Sequence, residues 1–418
     1  MTSSSALNFL QKGLPIVFQS SLNSNASVGK WLLGTGGMVV GMIHVGGLTR
    51  LTSSGLSMTD WSLTGSLPPM TLEAWNREFD RYKQYPEWQQ RQSMTLHEFQ
   101  YIYAWEYGHR MLGRVVGAVF VVPWMYFTIR GKIPTGFQPR LIGLGLLGGT
   151  QGLVGWWMVK SGLTDDRRGE ASQIRVKPVR LASHLSMAFI TYAGLLWTGW
   201  EVLGLVHHPV TGNSTTTTAK WLHLLKDTSL DALRHASRVR MGGILVTGLT
   251  GITIVSGALV AGNDAGRAFN TWPKMSDYWI PPEVLDTSKP YGIKSLDDTA
   301  TVQFNHRMLG QITGLSALAL LGMARPTQML TPQARKGLVA VGIATTAQIT
   351  LGITALLNYV PISLAAAHQL GSVVVFTCGL YLVHSLRYAR PAVVKQIIHM
   401  TKKDASHIVD TAKKIISS

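Results

Sequence analysis

Charged residues and cysteines are both scarce in this chain of 418 residues. Only 14% of its side chains are charged, whereas a soluble domain usually carries about 25%. This deficit argues against a water-soluble globular protein. A single cysteine, Cys378, excludes an intrachain disulfide and a cysteine-ligated metal cluster. Residues 1–27 lack the features of a signal peptide or an Arg-rich transit peptide, so we expect any targeting segment to have been removed or to lie outside this sequence.

Long apolar runs take the place of the missing charge, since 46% of the residues are hydrophobic. A helix of about 20 apolar residues is long enough to cross a hydrocarbon core roughly 30 Å thick. The runs that meet this test lie near residues 30–48, 109–129, 141–159, 181–206, 241–262, 307–324, 337–358 and 362–386. Soluble helices keep a polar stripe that these runs mostly lack. The sequence therefore predicts an all-α, polytopic membrane protein with eight transmembrane helices in contact with membrane lipid.

The net charge of +17 is distributed unevenly among the connections between these runs. A basic chain can bind nucleic acid, but in a membrane protein basic connections mark the inner, cytoplasmic-type side. Lys and Arg prevail in residues 130–140, 207–240 and 325–336 and in the tail after 387, whereas Asp and Glu prevail in 51–107 and 263–305. We therefore expect both termini inside and no nucleic-acid partner. The basic outer loop 160–180 is the exception, and it either pairs with acidic groups of a ligand or is solvated.

An internal repeat divides the chain. GHRMLGR at residues 108–114 recurs as NHRMLGQ at 305–311, a shift of 197 residues that also matches Gln151 and Gly155 to Gln348 and Gly352. Further matches are Gly46, Gly55 and Trp61 with Gly257, Gly266 and Trp272, and His184 with His368. Duplication without function would leave the same trace, so the repeat indicates architecture before chemistry. It predicts two four-helix halves, at residues 30–206 and 241–386. An inner loop at 207–240 joins them, and an N-terminal segment at 1–29 and a basic tail at 387–418 flank them.

Four histidines lie at equivalent places in these halves. His109, His184 and His306 are at the predicted outer starts of the second, fourth and sixth helices, and His368 lies about six residues into the eighth. A lone histidine in a membrane helix is usually a packing residue, but intramembrane ionisable groups are costly and tend to be functional. Imidazole is the usual axial ligand of haem, and pairing each half's two histidines would suit two haems. Zinc is the competing metal, yet a structural zinc site needs four clustered ligands, which the repeat separates.

Gln151 and Gln348 occupy equivalent positions in the third and seventh predicted helices. A ligating imidazole is usually oriented by a hydrogen-bond acceptor at its other nitrogen, and these amides are candidates for that role. They are equally suited to joining neighbouring helices. The sequence leaves both interpretations open.

The two halves differ next to these histidines. Glu106 lies three residues before His109, whereas Gln303 lies three residues before His306. Residues three apart share a helix face, so Glu106 can approach a ligand of His109 if the helix begins early enough. A carboxylate assists proton transfer and an amide does not, which predicts a reactive N-terminal half and an electron-storing C-terminal half. The alternative is that Glu106 is a helix N-terminal charge favoured by the helix dipole.

Several long motifs resemble those of the haem A synthase family. They are GGLTRLTSSGLSMTDW at residues 46–61, MTLHEFQYIYAWEYGHRMLGR at 94–114 and FNHRMLGQ at 304–311, and the resemblance extends over essentially the whole bundle. The resemblance implies an eight-helix protein of two four-helix halves. It also implies oxidation of a methyl group of haem O, through a hydroxymethyl intermediate, to the formyl group of haem A for cytochrome oxidase.

Carried over residue by residue, the resemblance assigns site residues. It implies that His306 and His368 ligate a haem B cofactor, while His109 and His184 face the substrate haem. Glu106 matches the family's functional acid. Candidate partners for the haem propionates are arginines, because Arg pairs bidentately with carboxylates: Arg50, Arg110 and Arg307. Arginines at a membrane interface also anchor helices, so both roles are open for these three.

The resemblance further suggests partners and a location. A haem O synthase would supply the substrate, a ferredoxin-type protein would donate electrons, and a homo-oligomer is compatible with the pattern. The chain lacks the outer-loop cysteine pair of some bacterial members, and it has GNSTTTTAKW in the inner loop and KKDASHIVDTAKK in the tail. The missing cysteine pair favours the mitochondrial and proteobacterial branch, and the inner loop and basic tail favour a mitochondrial protein. We therefore expect the mitochondrial inner membrane, with both termini in the matrix. The tail is either an amphipathic helix on an anionic membrane surface or a solvated helix end.

Two other functions compete with this interpretation. The first is a dihaem bis-histidine membrane cytochrome that only transfers electrons, against which the difference between Glu106 and Gln303 argues. The second is a transporter, since internal repeats are common there. The polar residues of a transporter would gather near the midplane of the membrane, whereas those of this chain gather at the outer face.

Overall fold

The computed structural model describes residues 26–390 except 63, 135, 165–173, 208–229, 287 and 289–291. Every element of regular secondary structure in this part of the chain is a helix, which confirms the all-α class. The long helices, labelled α1 to α8, are Ala26–Leu51, Leu96–Ile129, Gln138–Lys160, Pro178–His207, Leu230–Gly262, Thr299–Met323, Pro332–Leu357 and Ile362–Ser385. The GNSTTTTAKW segment, the tail after residue 390 and the N-terminal segment before residue 26 lie outside the described residues.

Seven of these helices are long and apolar enough to cross a membrane, which makes the chain a multi-pass membrane protein. The helix that does not meet this criterion is α6. It has 25 residues, but its first half carries the polar side chains of Thr299, Gln303, Asn305, His306 and Arg307, which lower its mean hydropathy. The prediction of eight transmembrane helices is therefore confirmed for seven.

Two helices begin well before the apolar runs that predicted them. α2 starts at Leu96 and not near residue 109, because a capping box closes its N-terminus. In this box Thr95 Oγ1 accepts a hydrogen bond from the Glu98 amide, and Glu98 Oε2 accepts one from the Thr95 amide. α5 starts at Leu230, inside the predicted inner loop. Apolar runs mark only the part of a helix that suits hydrocarbon, so they miss polar extensions. His109 consequently lies far inside α2 and not at its start.

The helices pack as two rings of four. α1 contacts α2 and α4, and α3 also contacts both; α5, α6, α7 and α8 show the same arrangement. The two rings meet along α1, α4, α5 and α8. At this junction the Tyr192 and Thr377 hydroxyls are 2.8 Å apart, and Gln369 Nε2 donates a hydrogen bond to the Ile43 carbonyl. Polar contacts between helices are a usual means of association in a membrane, where apolar burial alone gives little preference.

An aromatic cap covers the end of the bundle where α1 finishes and α2 begins, which we call the histidine end. The cap consists of the short helix Leu72–Tyr82, the 3₁₀ turn Pro86–Gln90 and the first turns of α2. Its core is a cluster of rings from Trp75, Phe79, Tyr82, Phe99 and Tyr103. Met58 from the loop after α1 is buried in the same cluster. The cap therefore holds that loop against α2.

Candidate functional site

Each of the four candidate ligand histidines lies with its imidazole against a glycine of the preceding helix. The pairs are His109 with Gly46, His184 with Gly155, His306 with Gly257 and His368 with Gly352. A Cβ atom added to these glycines would lie 2.9, 3.0, 3.1 and 2.6 Å from the ring Cε1 atom, so the ring would have to move. We call these glycines the glycine seats, since each lets a ring approach the neighbouring backbone closely. The same contact is present in both rings of helices.

The ring nitrogens suit haem iron. The centroids of His306 and His368 are 6.5 Å apart. Two imidazole nitrogens that each lie about 2 Å from one metal ion would place the ring centroids about 6 Å apart. The Nδ1 atoms of His109, His184 and His368 are buried without a partner, and none of the four Nε2 atoms is hydrogen-bonded to a described residue. Each ring can therefore offer a nitrogen lone pair to iron.

A zinc centre does not fit this arrangement. Within the described ranges, no three His, Cys, Asp or Glu side chains come together closely enough to hold one metal ion. A structural zinc site requires four such ligands. The separation of 6.5 Å between the ring centroids of His306 and His368 suits a site with two histidine ligands instead. We call the pair His109 and His184 the first histidine site, and the pair His306 and His368 the second histidine site.

Glu106 lies one turn before His109 on α2, and only 3% of this residue is exposed. Its Oε2 atom accepts hydrogen bonds from the Ser57 hydroxyl at 2.7 Å and the Met58 amide at 2.9 Å. Its Oε1 atom accepts one from the Arg110 guanidinium at 2.6 Å. Because both oxygens are held, the carboxylate has a fixed position one turn before His109 on α2. It is more than two turns inside α2, so the alternative of a helix N-terminal charge does not apply.

The second histidine site has a similar framework without the carboxylate. In both sites an arginine donates to carbonyls of the preceding loop: Arg110 to Met58 and Asp60, and Arg307 to Phe269, Thr271 and Lys274. We call this contact the arginine clamp. Gln303 is buried where the first site has Glu106, and its Nε2 atom donates to the Phe269 carbonyl at 3.3 Å. Its Oε1 atom has no partner among the described residues. The two sites therefore differ in the group beside the clamp.

The three arginines predicted to bind propionates are all engaged by protein acceptors. Arg50 at the end of α1 pairs with Asp264 at 2.9 Å and donates to the Ala261 carbonyl at 2.7 Å. Asp264 also pairs with Arg175 of the basic loop 160–180. That loop thus pairs partly with a protein carboxylate, a partner that the sequence did not indicate. A role of Arg50 or of either clamp arginine at propionates stays a prediction.

A cavity of about 260 Å³ opens beside the first arginine clamp. It is bounded by the loop after α1 and by the last turns of α3. Its lining includes the cations of Arg110 and Lys160 and the rings of Trp61 and Trp156, whose centroids are 6.1 Å apart. Aromatic faces beside cations suit a flat, largely apolar molecule that carries carboxylates.

The two glutamines at matching positions of the repeat join helices. Gln151 Nε2 donates to the His184 carbonyl at 3.0 Å, and Gln348 Nε2 donates to the His368 carbonyl at 2.8 Å. Neither amide is hydrogen-bonded to an imidazole nitrogen of a described residue. The structure therefore favours the helix-joining interpretation over an acceptor for the ligand ring.

Sequence reasoning missed two serines. Ser57 holds the Glu106 carboxylate, and Ser256 Oγ lies 2.7 Å from the Nδ1 atom of His306. No motif marks Ser57. The repeat could have indicated Ser256, because the residue before the glycine seat is Ser256 in one half and Val45 in the other.

Comparison with known proteins gives matches over most of the chain. A family model described as cytochrome oxidase assembly protein matches residues 29–380. The haem A synthase COX15 of Arabidopsis thaliana is 42% identical over 398 residues, which are 95% of this chain and 82% of that protein. The COX15 protein of Homo sapiens is 40% identical over 383 residues, 90% of this chain and 87% of that one. The haem A synthase of Paracoccus denitrificans is 40% identical over 365 residues, 86% of this chain and 87% of its own length. The similarity thus covers both rings of helices.

Proposed function

The chain belongs to the cytochrome oxidase assembly family that contains the haem A synthases, and on this premise we propose the reaction and the residues that carry it. It is a haem A synthase, and its reaction is the oxidation of a methyl group of haem O to a formyl group through a hydroxymethyl intermediate. The observation that supports this proposal most strongly is the unequal pair of histidine sites. One site has a buried carboxylate beside its arginine clamp and the other has an amide.

We propose that residues 30–206 and 241–386 are two four-helix halves of one repeat, joined by the inner loop 207–240. Each half has two glycine seats, one arginine clamp and one glutamine that joins two helices. All eight helices then span the membrane. The polar first half of α6 carries Gln303, His306 and Arg307, which belong to the second histidine site, so its low hydropathy has a functional cause.

The second histidine site is proposed to hold haem B as a resident cofactor, which His306 and His368 would ligate. Haem B would supply one-electron redox capacity there. Support comes from the centroid separation of 6.5 Å and from ring nitrogens without other partners. The first histidine site is proposed to receive the substrate haem O on His109 and His184, with the adjacent cavity and Arg110 accommodating propionates.

Glu106 is proposed to be the catalytic base of the first histidine site. Conversion of a hydroxymethyl group to a formyl group removes two electrons and two protons, so a proton acceptor must lie close to the substrate. Ser57, Met58 and Arg110 hold the carboxylate in one orientation. An amide at this place could not accept the proton, which is why the second half is suited to storing electrons.

The family and the charge pattern support a proposed location and proposed partners. We propose that the protein lies in the mitochondrial inner membrane, with both termini in the matrix. Eukaryotic COX15 proteins are among its relatives, together with bacterial haem A synthases. A ferredoxin-type electron donor and a haem O synthase are the proposed partners.

Identification of the bound haems tests this function. The protein is purified in mild detergent, and its haems are extracted and identified by chromatography and mass. Haem B together with haem O, haem A or a hydroxylated intermediate is the expected result. Haem B alone, in both sites, would contradict the proposal and indicate an electron-transfer cytochrome.

A further inference from the structure

Ser256 makes His306 different from the other three candidate ligands. The serine lies on α5, directly before the glycine seat Gly257, and only 7% of it is exposed. Its Oγ atom is 2.7 Å from His306 Nδ1 and 2.8 Å from the Thr253 carbonyl oxygen. The hydroxyl is thus placed between a backbone acceptor and a ligand ring.

The direction of the Ser256 hydrogen bond favours one tautomer of His306. The hydroxyl has one hydrogen, which it donates to the Thr253 carbonyl. Its oxygen then accepts from the ring, which requires a hydrogen on His306 Nδ1. The remaining nitrogen, Nε2, is left with a lone pair. This is the tautomer that an Nε2-ligating histidine needs.

The first histidine site has no such contact. Its glycine seat Gly46 is preceded by Val45, which has no polar side chain. The Nδ1 atom of His109 is buried without a partner, as are those of His184 and His368. The ring of His306 is thus held at both its face and its Nδ1 atom, whereas that of His109 is held at its face.

We propose that Ser256 is a positioning residue that fixes the ligand tautomer of His306 and so makes the second histidine site retain its haem. Its replacement by Val45 in the first half leaves His109 free to exchange substrate and product haem. The inference rests on the proposed haem at His306 and adds the reason why one haem stays while the other leaves. Donation from Nδ1 also makes the ring a stronger ligand and lowers the reduction potential of the iron it holds.

The test compares haem retention and potential in full-length variants purified in detergent. Haem release to excess apomyoglobin is followed optically, and the midpoint potential of the resident haem is found by redox titration. Ser256→Val should release the resident haem about tenfold faster, as loss of an outer-shell partner typically weakens a metal site by about 10- to 100-fold. Its midpoint potential should rise. Ser256→Thr, which keeps the hydroxyl, should restore both values towards those of the unmodified protein.

A matched control and a reciprocal variant complete the design. Thr250→Val removes another buried hydroxyl of α5, one that donates only to the Val246 carbonyl, and should change neither measurement. Val45→Ser should slow release from the first histidine site. Ser256→Ala replaces the valine variant if that variant fails to fold.

The outcomes separate the two proposals. If His306→Ala leaves the haem content and spectrum unchanged, the assigned haem site is wrong. If His306→Ala removes the resident haem but Ser256→Val and Ser256→Ala match Thr250→Val in release rate and potential, the haem site stands and the role of Ser256 is overturned.

Discussion

The first and second histidine sites share what places an imidazole and differ in what acts beside it. Both have glycine seats and an arginine clamp, so the rings approach the neighbouring helices in the same way. The first site adds the Glu106 carboxylate, whereas the second adds Gln303 and the Ser256 hydroxyl. The shared contacts, which are the glycine seats and the arginine clamps, are common to both rings of helices. The differing contacts agree with the functions proposed for the two sites, since a proton acceptor suits a reacting substrate and a fixed tautomer suits a permanent ligand.

Making the first site like the second should have the largest effect. Glu106→Gln keeps the size of the side chain but removes the proton acceptor, and we expect haem A formation to fall by about 10²- to 10⁴-fold. Haem content should change little, because the histidines and glycine seats are intact. Haems extracted from cells that express each variant are quantified by chromatography. The reciprocal variant, Gln303→Glu, should not replace the lost activity, and undiminished haem A output from Glu106→Gln would refute the role of the acid.

The cap over the first site predicts a pH dependence. Burial raises the pKa of the Glu87 carboxyl to about 7, although Arg91 lies 3.4 Å away and the Tyr82 hydroxyl donates to it at 3.1 Å. Between the ordinary pKa of a glutamate and pH 7, the Glu87 carboxyl holds a proton in the folded protein and releases it in the unfolded chain. The free energy of unfolding should therefore fall by at most about 3 kcal/mol as the pH rises through this window, and it should level off above the window.

Thermal unfolding in detergent at pH 5, 6, 7 and 8, followed by tryptophan fluorescence, checks this dependence. Glu87→Gln should flatten the profile between pH 5 and 7. Glu73→Gln, which changes an exposed carboxylate of the cap helix Leu72–Tyr82, should keep the slope of the unmodified protein. A slope that survives in Glu87→Gln would assign the dependence to another group.

Filling a glycine seat should damage one site at a time. In Gly352→Ala the new Cβ would lie 2.6 Å from the His368 ring, so the ring must move and resident haem should be lost, with affinity reduced by about 10- to 100-fold. Gly155→Ala, beside His184, should instead reduce substrate haem. Gly248→Ala has open space around it and serves as the control. Optical spectra and extracted haems distinguish the cases, and equal loss of both haems in both variants would mean that the sites are not independent.

Much of the fold could be predicted from the sequence because hydrocarbon imposes a simple rule on helix length. Apolar runs located all eight long helices, and seven meet the criterion for spanning. The starts of α2 and α5 were placed too late, since the Thr95 and Glu98 cap and the polar turns of both helices leave no apolar signal. The cap over the histidine end was not predicted, because its aromatic cluster joins segments that are far apart in sequence.

For the candidate site, the repeat identified the histidines and Glu106 but not their neighbours. The glycines were recognised as matched residues, yet only the structure shows that they contact the rings. Ser57 and Asp264 follow no periodic pattern, since each lies in a loop whose path depends on tertiary packing. The glutamines were left with two roles, because a side-chain amide can reach either a ring or a carbonyl from the same helix face.

The smallest effect is expected at these glutamines, and it should be equal in the two halves. Gln151→Leu and Gln348→Leu each remove one hydrogen bond to a histidine carbonyl, at 3.0 and 2.8 Å, and should destabilise the protein by about 1 kcal/mol. Haem spectra should stay unchanged, because the imidazole nitrogens are not involved. Thermal unfolding and optical spectra of the two variants are compared with those of Thr250→Val. A spectral shift confined to Gln348→Leu would instead make this glutamine a partner of the resident haem's ligand, and the asymmetry between the halves would then extend beyond Glu106 and Ser256.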